Sequence, residues 1–112
     1  QKNDELRQAM NEVPALYGFK EGVSNEGPLF MPTWNMARGR PESCATKVTS
    51  DCYSSDVRIH GGIGWHDRIL YKELQKSPFV AHCLSYNRID IQNMHESTHA
   101  GVIADFDVRV TK

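Results

Sequence analysis

The sequence predicts a mainly β, α+β fold: an antiparallel sheet or sandwich carrying one short N-terminal helix. Three observations lead there. Apolar and polar residues alternate with a period of two in the last third of the chain, most clearly from Val102 to Val110. Only the opening stretch spaces its apolar residues at helical intervals. Between Ser43 and Ile59, β-branched and aromatic residues recur among polar ones, a composition that suits strands. A chain of 112 residues has room for one core, so residues 1–112 are read as a single domain.

The helix is expected where Leu6, Met10 and Val13 share one face, with Asn3 or Asp4 placed to cap its first turn and Pro14 to stop it. From Tyr17 to Glu42, four glycines and three prolines predict irregular backbone. Trp34 in this stretch is read as packing, with an exposed ligand platform as the alternative. Thr46, Val48, Thr49, Tyr53, Val57 and Ile59 predict strands, interrupted by turns at Ser54-Ser55-Asp56 and Gly61-Gly62. Ile69 and Tyr71 alternate, and Phe79 to Tyr86 is apolar with small polar interruptions. The final segment sets Val102, Ala104, Phe106, Val108 and Val110 on one face and Asp105, Asp107 and Arg109 on the other, one side for the core and one for water.

Charge and hydropathy exclude two partner classes. Thirteen Lys and Arg against fourteen Asp and Glu leave a net charge of -1, which gives no field for a nucleic-acid backbone or an anionic lipid surface. No apolar run approaches the roughly 20 residues needed to span a bilayer, so no membrane insertion is expected. The chain opens on Gln1 without an apolar leader, as expected of a processed, secreted chain. Cys44, Cys52 and Cys83 predict one internal disulfide plus a thiol that is free or shared between chains. Cys44 to Cys52 and Cys52 to Cys83 are both open pairings, and three reduced thiols are the alternative to either. The leftover thiol and exposed sheet edges lead to the expectation of a homo-oligomer.

One motif is chemically specific. His95-Glu96-Ser97-Thr98-His99 fits the pattern HExxH, and on a helix the two histidines at i and i+4 point the same way and share a zinc ion, with the glutamate as general base. This resembles the zincin metallopeptidases. The resemblance implies zinc as cofactor, His95, His99 and Asp105 as ligands, and Glu96 as the catalytic base. The competing reading, which the sequence favours, makes residues 95–99 the polar loop of a hairpin joining the strand around Ile89 and Ile91 to the strand from Val102. A tight loop scatters the two imidazoles that a helix aligns. A second constellation, His60-Gly61-Gly62-Ile63-Gly64-Trp65-His66, offers Trp65 as a stacking surface with His60 and His66 beside it, or else a plain glycine turn.

Read as strands, residues 69–111 resemble part of an H-type lectin domain. The matching elements are Ile69-Leu70-Tyr71, the Ser77-Pro78 step, Val80 to Ser85 leading to Ile89-Asp90-Ile91, and Val102-Ile103-Ala104 running to Val110-Thr111. The resemblance implies a six-stranded antiparallel sandwich that assembles as a trimer and binds sugars. Gly101 stands where family members often carry an arginine, so no sugar-contacting residue is transferred. The sequence therefore leads to a secreted, β-rich recognition module with a carbohydrate or protein ligand, and its alternative is a minimal zinc-dependent peptidase.

Overall fold

The computed structural model describes residues 4–55 and 63–111. The expected helix is α1, Glu5–Glu12. Asp4 sits before it in extended conformation and accepts the Leu6 N–H at 3.2 Å; Val13 leaves the helix and Pro14 opens a 3-10 turn, Pro14–Leu16. Eight residues are too few to hold a helix in water, so tertiary contacts must fix it. Met10 is buried, Arg7 donates to the Asn25 carbonyl at 2.7 Å, and the capping Asp4 carboxylate also receives Arg68 at 2.7 and 3.0 Å.

The sheet is a two-stranded antiparallel ribbon of β1, Phe79–Ile89, and β2, Gly101–Val110. Its register runs from Phe79 opposite Val110 to Ile89 opposite Gly101, with a bulge between Cys83 and Ser85. The fold is thus a small α+β one. The sandwich expected from the sequence is not formed among the described residues, which hold no second sheet. Ile69 to Tyr71 contributes only an isolated bridge, Tyr71 with Lys20.

The strands expected after Ser43 are also corrected. Glu42–Ala45 and Ser50–Cys52 are 3-10 turns, and only Tyr53 makes a bridge, to Met36. Thr46, Val48 and Thr49 have strand propensity but no neighbouring strand to pair with, and a Cys44–Cys52 disulfide curls the segment on itself. Val57, Ile59, His60 and the Gly61-Gly62 turn lie outside the described residues. The disulfide settles the cysteine pairing, and Cys83 is free and buried in β1.

The interior has an apolar part and a charged part. Met36, Cys44, Cys52, Tyr53 and Ala100 form the apolar cluster, with Val48 against it. The charged part is centred on Arg68, which forks onto Glu21 at 2.6 Å through both Nε and Nη2 and onto the Asp4 carboxylate. The Tyr86 hydroxyl donates to the same fully buried Glu21 and accepts the Ile69 N–H at 3.1 Å, so one network ties α1 to β1 and the 68–69 segment. Burial alone would lower the Arg68 pKa; the Glu21 and Asp4 carboxylates outweigh it and raise that pKa. Burial and the Glu21 carboxylate together push the Tyr86 phenol up.

Apolar burial is incomplete elsewhere. Phe106 packs edge-on under Tyr71 at 4.9 Å, but Phe79, Val108 and Val110 beyond it are 52%, 59% and 63% exposed. The molecule measures 50 × 29 × 19 Å, and its radius of gyration of 16.2 Å exceeds the roughly 13 Å typical of a compact chain near this length. Among the described residues no helix is long and apolar enough to cross a membrane.

Candidate functional site

Three chain segments converge at the end of the ribbon that holds the β1–β2 connection. The middle one is Thr33 to Met36. Trp34 pairs with Gly64 on one side, its N–H donating to the Gly64 carbonyl at 3.1 Å. On the other side the Ala100 N–H donates to Thr33 at 2.9 Å and the Met36 N–H donates to Thr98 at 2.7 Å. Residues 64–67 and 98–100 therefore flank the tryptophan, and their side chains meet around it.

His66 lies against the Trp34 ring at 4.4 Å between centroids, and the His99 ring stands 6.4 Å away. A side chain at Gly64 would sit 3.0 Å from His66 Nε2, so the missing Cβ is what lets this imidazole fold back onto the indole. Asp67 accepts the Thr33 hydroxyl at 3.0 Å, and its carboxylate lies 2.8 Å from His99 Nδ1. With a carboxylate at Nδ1, that nitrogen carries the hydrogen of the bond. His66 and His99 are exposed while Trp34 and Asp67 are half-buried, which combines an apolar ring with fixed polar groups at the surface.

The connection carrying His99 is held from beneath by Arg40. This buried guanidinium makes a bidentate pair with Asp90, with Nε to Oδ2 at 2.9 Å, and donates to the carbonyls of Ala37 at 2.9 Å and Ser97 at 2.6 Å. Longer bonds of 3.3 Å reach Met94 and His99. One arginine thus satisfies the carbonyls of a loop that has no ladder of its own, and places His99 through its backbone.

The HESTH segment is not a helix. A 3-10 turn at Gln92–Met94 is followed by turns and bends through Thr98, so residues 90–100 form a hairpin connection. Its two imidazoles separate as a loop requires: His95 is buried with Nε2 3.5 Å from Asp90 Oδ1, whereas His99 is exposed and faces Asp67. Asp105 lies on β2 and accepts from Ser85 at 2.9 Å. Glu96 is exposed. The structure does not bring His95, His99 and Asp105 together, and among the described residues no group of three or more His, Cys, Asp or Glu side chains could hold a metal ion. Asp90, at the start of this connection, is committed to Arg40.

Of the other expected ligand contacts, His66 is in the cluster, Trp65 is half-buried with its indole N–H on the Phe30 carbonyl at 2.8 Å, and His60 lies outside the described residues. Sequence reasoning missed Asp67 and Thr33 altogether and read Trp34 chiefly as packing. The only local signal was the run Trp65-His66-Asp67, because the partners come from segments more than thirty residues away in either direction. No protein-family model, curated protein or solved structure matches this chain.

Proposed function

We propose that the chain is an extracellular recognition module that binds a carbohydrate at the surface formed by Trp34, His66, Asp67 and His99. The observation that carries this reading is the pairing of an aromatic surface with a pinned carboxylate and imidazole: His66 lies tilted against Trp34 at 4.4 Å between ring centroids while Asp67 holds His99 at 2.8 Å. A sugar presents apolar C–H faces to an aromatic ring and hydroxyls to fixed acceptors and donors, and this surface offers both without rearrangement. The Cys44–Cys52 disulfide supports an oxidising compartment, hence secretion.

The test is a glycan array on the wild-type chain, followed by calorimetry of Trp34→Ala and Asp67→Asn with any glycan retained. Trp34→Ala should lose the stacking surface and weaken binding by about tenfold, and Asp67→Asn should weaken it less, by releasing His99. An array with no bound glycan, or affinity that neither substitution changes, sinks the reading.

A further inference from the structure

The end of the ribbon far from this site has its own chemistry. The Thr111 N–H donates to the Pro78 carbonyl, which points the backbone of odd-numbered residues there toward β1. The other strand agrees, since the Ala81 N–H goes outward to Glu73 and the Phe79 N–H to Ser77. The N–H and C=O groups of Phe106, Val108 and Val110 therefore point away from β1, and among the described residues they have no partner. The outer edge of β1 is covered along part of its length by the 69–77 segment, while that of β2 from 106 to 110 lies open among the described residues. An open edge beside exposed valines is a template for one more strand.

We propose that this edge binds the same edge of a second copy, antiparallel about a two-fold axis at Val108, so that two ribbons join into a four-stranded sheet. Backbone parity and charge select this register. Only registers that set outward-pointing residues opposite one another can exchange hydrogen bonds, and the one centred on Val108 pairs Phe106 with Val110 of the second copy. It also sets Asp107 opposite Arg109 of the second copy, twice by symmetry, with no like charges opposed. Centring the axis on Asp107 would oppose two carboxylates, and centring it on Arg109 would oppose two guanidiniums. On the apolar face the exposed Val108 and Val110 of both copies fall together, extending the strip that Phe79 and Phe106 begin.

Sedimentation of the wild-type chain over a concentration series tests the pairing. It should show a monomer–dimer equilibrium, which Arg109→Asp shifts toward monomer by about tenfold or more and the swap Asp107→Arg with Arg109→Asp restores. Arg109 is solvent-exposed and within its own chain pairs with Asp107 at 2.7 Å, a surface pair worth little to stability and one that can re-form across the two copies, so its replacement leaves the fold intact, and circular dichroism checks this. Oxidation gives an independent reading. Residues opposed at a hydrogen-bonded pair stand about 5.5 Å apart between Cα atoms, within disulfide reach, so Val108→Cys should cross-link to its own copy and Val110→Cys should not. A wild-type chain that stays monomeric to about 0.5 mM, a dimer indifferent to Arg109→Asp, or equal cross-linking at both positions overturns the proposal.

Discussion

The two ends of the β1–β2 ribbon are built on opposite principles. At the connection end, a buried Arg40–Asp90 pair, the carbonyls of residues 94–99 and a disulfide-stapled segment close over Met36 and Ala100. At the other end the same two strands run out with Phe79, Val108 and Val110 in solvent. The difference teaches how a chain with a small apolar core divides its work. Polar bonding in a low-dielectric interior fixes the loop that carries His99, and the apolar surface left over is displayed where another strand can cover it.

Arg40→Met tests the first half of the contrast and should have the largest effect. It removes the bidentate partner of the buried Asp90, leaving only Arg88 at 3.7 Å and His95 at 3.5 Å beside it, and strips hydrogen bonds from Ala37 and Ser97, a change expected to cost about 3 kcal/mol. Small domains have only about 5–15 kcal/mol in total, so urea unfolding should show a large fall in midpoint. Adding Asp90→Leu should recover part of that loss, because it removes the buried carboxylate that has lost its closest partner. A midpoint that barely moves in the single variant would mean that the connection is held by something other than this pair. Reducing the Cys44–Cys52 bridge comes next. Its ends are separated by 8 residues in sequence, a short loop for which chain entropy gives about 2.5 kcal/mol. Urea curves of the oxidised chain and of Cys44→Ala with Cys52→Ala should differ by that order, and equal curves would detach the bridge from the stability of this end.

Much of the ribbon was legible in the sequence because its signals are local. Alternation from Val102 to Val110 marks β2, the apolar run from Phe79 marks β1, and Asp4 with Pro14 brackets the helix. What failed was anything set by partners distant in sequence. The β-branched residues after Ser43 read as strands, yet a strand exists only against a neighbour, and the disulfide leaves that segment none. For HESTH the hairpin loop that the sequence favours over a zinc helix is what forms, but the sequence did not show that Arg40, some fifty residues upstream, claims Asp90 and the loop carbonyls. Nothing about Arg40 in the sequence distinguishes it from the other arginines. Asp67 was invisible for the same reason, since its meaning comes from Thr33 and His99.

The second half of the contrast predicts a small effect, and its smallness is informative. Val110 is 63% exposed and faces no side chain that covers it, so Val110→Thr should leave unfolding at micromolar concentration within about 0.5 kcal/mol of wild type. A core valine replaced by threonine would cost more, because the hydroxyl would be buried without a partner. The same substitution should weaken the association between copies at high concentration, where Val110 meets Phe106 of the second copy and the hydroxyl is desolvated. Stability and association therefore respond to one residue in separable ways. A stability loss above about 1 kcal/mol in the dilute chain would show that the far end packs within the monomer. The ribbon would then be closed at both ends, and the division between a fixed end and a displayed end would fall.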